Sequence, residues 1–216
     1  MTLPASINAE KEPFLKEKIK NGSLFLWQCP QCGTTNLLIF KLLYHDPENR
    51  LLVLLLPSGS YGTEKSLEKI NASIALQKAE KDSPDAGSEA HFDESYTMRL
   101  VRESGSLIEK INIADNFLDD RVVELCKFVT KMELLDNQED KLDAKALSDA
   151  VLRFHHLEGA DGDLIFTFAL GGQMQSLTVG FNVYEDCRGI LRRNPSMSLA
   201  PGFHEINSSW VETRFR

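Results

Sequence analysis

Basic residues are in the minority, with 24 Lys and Arg against 32 Asp and Glu and a net charge of −8. Affinity for phosphate comes from Lys and Arg, so this balance argues against tight, non-specific binding to nucleic acid or an anionic membrane. Long apolar runs are missing too. The longest, Leu51 to Pro57, has the length of a strand and cannot cross a bilayer. Residues 1–20 are polar and lack the apolar core of a signal peptide. Cysteine is scarce. Of the four, Cys29 and Cys32 form a Cys-x-x-Cys, whereas Cys126 and Cys187 stand alone. That is not a disulfide framework, and it suits a reducing cytoplasm. There is no Gly-x-Ser-x-Gly, no phosphate-binding loop and no dinucleotide fingerprint. Asn-x-Ser sequons at Asn21, Asn71 and Asn207 read as chance in a chain without a secretion signal.

What remains is a globular composition. The 216 residues are 42% hydrophobic and 26% charged, enough for one large domain or two small ones with a real core. The acid excess is concentrated between residues 61 and 140. Pro13 to Lys20 reads as a helix, with proline at its start and Asn21-Gly22 at its end. Strands are expected over Leu24 to Trp27, Leu37 to Leu43 and Leu51 to Leu56. The last two are so continuously apolar that both their faces should be covered, and Asp46-Pro47 starts the turn that joins them. Thr63 to Lys81 reads as a helix, and Asp82 to Asp93 as a polar, flexible linker.

After the linker, Tyr96 to Val101 reads as a strand. A helix capped by Ser104 or Ser106 follows, and a second begins near Asp119 with Leu118, Val122, Cys126 and Val129 on one buried face. The last third alternates apolar and polar residues over Val151 to Leu157, Leu164 to Leu170 and Leu177 to Tyr184, with turns at Asp161-Gly162 and Gly171-Gly172. A short helix over Glu185 to Arg193, then a strand and a terminal turn within Phe203 to Phe215 with Asn207 as a cap, complete the reading. The fold class is therefore α+β, with a zinc-ribbon-like β unit at residues 1–62, a helix and linker at 63–94, and an α+β domain with central helices and a C-terminal antiparallel meander at 95–216.

The most specific local signal is Cys29-Pro30-Gln31-Cys32-Gly33. Two thiolates at this spacing can grip one metal ion, and the glycine lets the turn tighten until backbone amides point at sulfur. A structural zinc site takes four ligands, and only Cys29 and Cys32 are in view. A metal-free turn and a redox Cys-x-x-Cys are the competing readings, although a redox motif usually opens a helix.

The knuckle does not stand alone. Ser6-Ile7-Asn8, Pro13 to Ile19, Gly22, the knuckle itself, Leu42-Leu43-Tyr44-His45-Asp46 and Pro57 follow one another in the order and spacing of the CpXC domain. So do Arg99-Leu100-Val101, Leu107 to Ile111 and Leu118 to Leu125. The chain resembles that family over roughly residues 5 to 130. The resemblance implies membership of a bacterial and archaeal family of uncharacterised function, named for two Cys-Pro-x-Cys motifs that together suggest a zinc ribbon. Cys29 and Cys32 match the second motif. The first belongs upstream of Ser6-Ile7-Asn8, where Met1 to Ala5 hold no cysteine. Two expectations follow: the frame continues upstream of Met1, or this member keeps a half-site.

Other polar residues have bland explanations beside sharper ones. His45 is a potential ligand next to a turn. His155 and His156, on a strand, should point to opposite faces and so cannot share a metal. Asp119, Asp120 and Arg121 suit helix capping and local pairing. Glu109 and Lys110 suit surface charge or a contact with the next helix. Cys126 is expected as a buried, inert thiol, and Cys187 sits near a helix start. Arg188, Arg192 and Arg193 make a small basic helix face.

Three functions remain in view. The first is a binding or scaffolding module with a protein partner. The second is an enzyme whose cleft would gather Tyr44, His45, Asp46, Asp119, Asp120 and Arg121 between the ribbon and the C-terminal sheet. The third is a homodimer in which two half-knuckles close one four-cysteine zinc site. Nucleic acid is the weaker partner on charge, and nothing calls for a membrane.

Overall fold

A computed structural model describes residues 3–59, 67–69, 71, 95–136 and 141–215. The predicted flexible linker lies outside these residues, as does most of the helix predicted before it; residues 67–69 and 71 of that helix are helical. The chain divides into two compact units. The first comprises residues 1–108 and 199–205, the second residues 109–198 and 206–216. Among the described residues, no helix is long and apolar enough to cross a membrane.

The first unit is built on a mixed four-stranded sheet in the order β1-β4-β5-β6, with β1 at Ser6–Asn8, β4 at Leu42–Asp46, β5 at Leu51–Leu55 and β6 at Thr97–Val101. β4 and β5 form an antiparallel hairpin, and β1 and β6 flank it in parallel. Leu51, Leu52, Val53 and Leu55 are all buried, the near-continuous apolar run of a strand covered on both faces. Helix α1, Pro13–Lys20, follows β1 and is started by its proline as expected. A second, two-stranded sheet pairs β2, Leu26–Gln28, with β3, Thr35–Leu37.

This arrangement corrects two expectations. The apolar segment Leu37 to Leu43 is not one strand. Leu37 ends β3 in the small sheet, Leu42 opens β4 in the large one, and between them the Leu38 amide bonds to the Phe25 carbonyl at 2.7 Å while Phe40 packs against Phe25. Leu24 and Phe25, expected as strand, form a buried 3₁₀ turn, so pairing begins only at Leu26.

In the second unit, helix α2, Ser104–Asp115, enters from the first unit, and α3, Asp120–Asp136, and α4, Lys141–Asp149, follow it. An antiparallel three-stranded meander comes next: β7, Arg153–Glu158, β8, Asp163–Leu170, and β9, Gln173–Val179. Gly171 and Gly172 both take positive φ, 58° and 79°, and so make the two-residue turn that matches the twist of β8 and β9. Phe154 and Phe166 meet edge to face in its core. Helix α5, Phe181–Arg193, and a short helix α6, Ser208–Glu212, end the chain.

The third predicted strand runs too far. It stops at Val179, and the helix starts four residues earlier than expected, at Phe181. Asp163 on β8 accepts the Phe181 amide at 3.2 Å and caps the helix from outside. Phe181 then stacks on Tyr184 one turn later, and Tyr184 and Cys187 are buried. Helical spacing thus overrides a period-two pattern that these few residues also satisfy. The three sequon asparagines all have structural work. Asn21 bonds the Ser23 amide, Asn71 bonds both backbone groups of Phe203, and Asn207 caps α6 through the Trp210 amide.

Candidate functional site

The knuckle is the turn of the β2–β3 hairpin. The Cys29 amide donates to the Thr34 carbonyl at 2.9 Å, and the Gly33 amide donates back to the Cys29 carbonyl at 2.9 Å. Gly33 sits at φ 72°, a conformation that a side chain would strain. The Cys32 thiol lies 3.2 Å from the Thr34 hydroxyl and is exposed. Hydrogen bonds from Thr34, and then from Cys29, hold Cys32 below the ordinary thiol range. A pre-shaped turn and a thiol biased toward thiolate are what a soft or borderline cation needs. The donor set fits half of a tetrahedral zinc site. Among the described residues, no group of three or more His, Cys, Asp or Glu side chains comes together that could hold a metal.

The surroundings of the knuckle are more informative than the thiols. From Asn21 to Phe40 the sequence holds no Asp, Glu, Lys or Arg. Yet most of this stretch faces solvent: Leu26 is 49% exposed, Trp27 36%, Leu37 61% and Ile39 74%. Leu26 and Leu37 stand opposite each other across the hairpin, on one face. Four exposed apolar side chains thus lie on or beside one small uncharged hairpin, with Leu26 and Leu37 on one face, Trp27 on the other and Ile39 just after it. Sequence reading gave Leu37 and its neighbours a covered strand and so missed this patch. The signal was available in the twenty-residue gap in charge.

The other singled-out residues are accounted for locally. His45 lies within β4, and its Nε2 meets the Tyr96 hydroxyl at 3.0 Å. Tyr44 is buried and donates to Asp46 at 3.0 Å. Asp46 also receives Lys16 at 2.9 Å and the Asn49 amide at 3.2 Å. Burial works to raise the Asp46 carboxyl, but Lys16, Asn49 and Tyr44 outweigh it and hold it below the usual carboxylate range. Tyr44, His45 and Asp46 belong to the first unit, and Asp119, Asp120 and Arg121 to the second. Arg121 binds the Asp119 carboxylate through two nitrogens at 3.0 and 2.6 Å, and that bond raises its already high pKa.

Glu109 and Lys110 are not surface charge; they are 4% and 3% exposed. The alternative, a contact with the next helix, is what the structure has. The Lys110 ammonium lies 2.8 Å from Asp120 and 3.5 Å from Glu124 on α3, without an aligned hydrogen bond to either. Lys127, also on α3, bridges Glu109 at 2.9 Å and Glu124 at 2.8 Å. Glu109 accepts the Phe154 amide of β7 as well, at 2.7 Å. Burial pushes the Glu124 carboxyl up; burial opposes the charge on Lys127 too, but Glu109 and Glu124 prevail and raise it. Three carboxylates and two ammonium groups thus compensate one another in the interior of the second unit.

Cys126 and Cys187 are buried free thiols of that unit. The Cys126 thiol lies 3.9 Å from the Val183 carbonyl, one turn before Cys187 on α5. Its bond to Cys187, and then burial, push Cys126 above the ordinary thiol range, away from reactivity. Arg188 of the basic face pairs with Glu185.

The model of one family, described as CpXC protein, matches residues 1–127, more than half of the chain. Neither curated proteins nor solved structures yield a match.

Proposed function

Because the chain belongs to the CpXC family, and its Cys-Pro-x-Cys turn sits on an exposed, uncharged, apolar hairpin, we propose that it is a protein-binding module that docks through this hairpin onto a second copy of itself. The exposed patch carries the proposal. A two-stranded sheet of three-residue strands is marginal alone and gains from a partner that covers its apolar face. The acid excess lies elsewhere in the sequence, between residues 61 and 140, so two uncharged hairpins can meet without setting like charges of their own against each other. The same lack of Lys and Arg leaves it nothing with which to hold phosphate.

The donor chemistry favours the same partner. Cys29 and Cys32 from each of two chains supply the four thiolates that a structural zinc ion takes. Bound there, zinc would add a cross-link to the apolar contact. The four free thiols fit a reducing compartment, and we place the protein in the cytoplasm.

The test is to put charge into the patch. Leu37→Asp and Ile39→Asp alter side chains that are 61% and 74% exposed, so the fold should survive. Each should weaken self-association by about 30-fold, the cost of about 2 kcal/mol at an interface hot spot, measured by sedimentation equilibrium. Unchanged association in both variants, or binding of an unrelated protein by a chain that stays monomeric, counts against the second copy as partner.

A further inference from the structure

His155 and His156 were expected on opposite faces of their strand. Pairing between β7 and β8 instead slips after Phe154: Phe154 faces Phe166, but His156 faces Ile165, leaving His155 as the extra residue of a β-bulge. A bulge bends its strand and re-aims side chains. Here it brings the two rings together, with centroids 4.9 Å apart at 77° and the Nδ1 atoms separated by 2.7 Å. β7 is an edge strand of its sheet, His155 is exposed and His156 is half-buried. One imidazole must hold its proton at Nδ1 and the other present a lone pair there.

We propose that His155 and His156 form a bidentate site for a divalent ion that prefers tetragonal imidazole coordination, copper(II) or nickel(II). Imidazole suits these ions, and the affinity of a nitrogen site rises along the first-row series to copper(II). With metal–nitrogen bonds of about 2.0–2.1 Å, adjacent ligands at a right angle lie about 2.9 Å apart, and tetrahedral ligands about 3.3–3.4 Å apart. The observed 2.7 Å is a hydrogen-bonded separation, and it has to open less to reach the first value than the second. The ion takes the place of the bridging proton. The donor imidazole takes up a proton at Nε2 as it releases the one at Nδ1, so both ligands bind neutral and no electron moves. No third candidate ligand joins the pair among the described residues, so water fills the remaining positions. The site lies in the second unit and does not depend on the hairpin.

The experiment is a copper(II) titration of the full chain carrying Cys29→Ser and Cys32→Ser, so that the knuckle thiols neither bind nor reduce the ion. It is followed by electron paramagnetic resonance and spin-echo modulation. The expected result is one copper per chain, a tetragonal spectrum and modulation from two imidazoles. His155→Ala should leave one imidazole and weaken binding on the order of tenfold or more. His155 is exposed, so this variant is expected to fold and can decide the matter even if His156→Ala does not. Copper binding and spectrum unchanged in His155→Ala, or no copper bound by the parent chain, overturns the proposal.

Discussion

One carboxylate oxygen of Glu109 receives both the Lys127 ammonium, at 2.9 Å, and the Phe154 amide, at 2.7 Å. A single atom on α2 thereby ties α3 and β7 together inside the second unit. Lys127 is held in turn by Glu124, and Lys110 lies against Glu124 and Asp120. Removing one partner from such a network leaves an uncompensated charge in the interior, which typically costs about 3–5 kcal/mol. Glu109→Ala should therefore destabilise the chain by that amount, read as the shift in urea midpoint. In a double-mutant cycle with Lys127→Met the two losses should fail to add by about 0.5–3 kcal/mol. Additive losses would mean that the pair is not coupled.

Asp46 gives a pH dependence of known sign. Its folded-state carboxyl is held below the unfolded value of about 3.9 despite burial, through Lys16, Asn49 and Tyr44. A depressed carboxylate contributes stability that is fully present above the unfolded pKa and is lost as pH falls through the folded one. Asp46→Asn should be less stable than the parent by about 1–3 kcal/mol near neutrality. The gap should hold down to about pH 5 and narrow below about pH 4. Denaturant melts across pH measure it. A gap that stays constant into strong acid would show that Asp46 acts only as a hydrogen-bonding shape.

The thiols should sort into two classes. Cys32 is exposed and biased toward thiolate by Thr34, and Cys29 is partly exposed, whereas Cys126 and Cys187 are buried. Reaction with a disulfide reagent should modify Cys32 first, then Cys29, and reach the other two only when the chain is unfolded. Mass spectrometry of quenched samples assigns the order. Native-state labelling of Cys126 or Cys187 at the rate of Cys32 would show that the core thiols open far more readily than their burial implies.

Much of the fold was legible because its signals are local. Pro13 starts α1, Asn207 caps α6, and Gly171-Gly172 fix the β8–β9 turn. The failures have a common cause: a short pattern compatible with two periods was decided by a residue distant in sequence. Asp163, eighteen positions earlier, turns Phe181 from strand to helix. Pairing with two different strands divides Leu37 from Leu42. The slip opposite Ile165 brings His155 and His156 together against strand alternation. Glu109 and Lys110 looked like surface because their compensating charges lie one helix later. Of the candidate site, Cys29 and Cys32 were legible from spacing. The exposed faces of Leu26, Trp27, Leu37 and Ile39 were not, because an apolar run reads the same whether the fold buries it or leaves it open.

The most direct test of hairpin-to-hairpin docking is to measure mass in solution and zinc content together. The full chain is loaded with zinc, dialysed against a weak chelator, and passed through size exclusion with light scattering and metal analysis. The expected species has twice the mass of one chain and one zinc per two chains. It should lose its zinc on Cys29→Ser or Cys32→Ser, because two chains with one knuckle thiolate each leave half of the coordination sphere to water. One zinc retained per chain on a monomer would contradict the account, since a single chain would then be closing the site without a second hairpin.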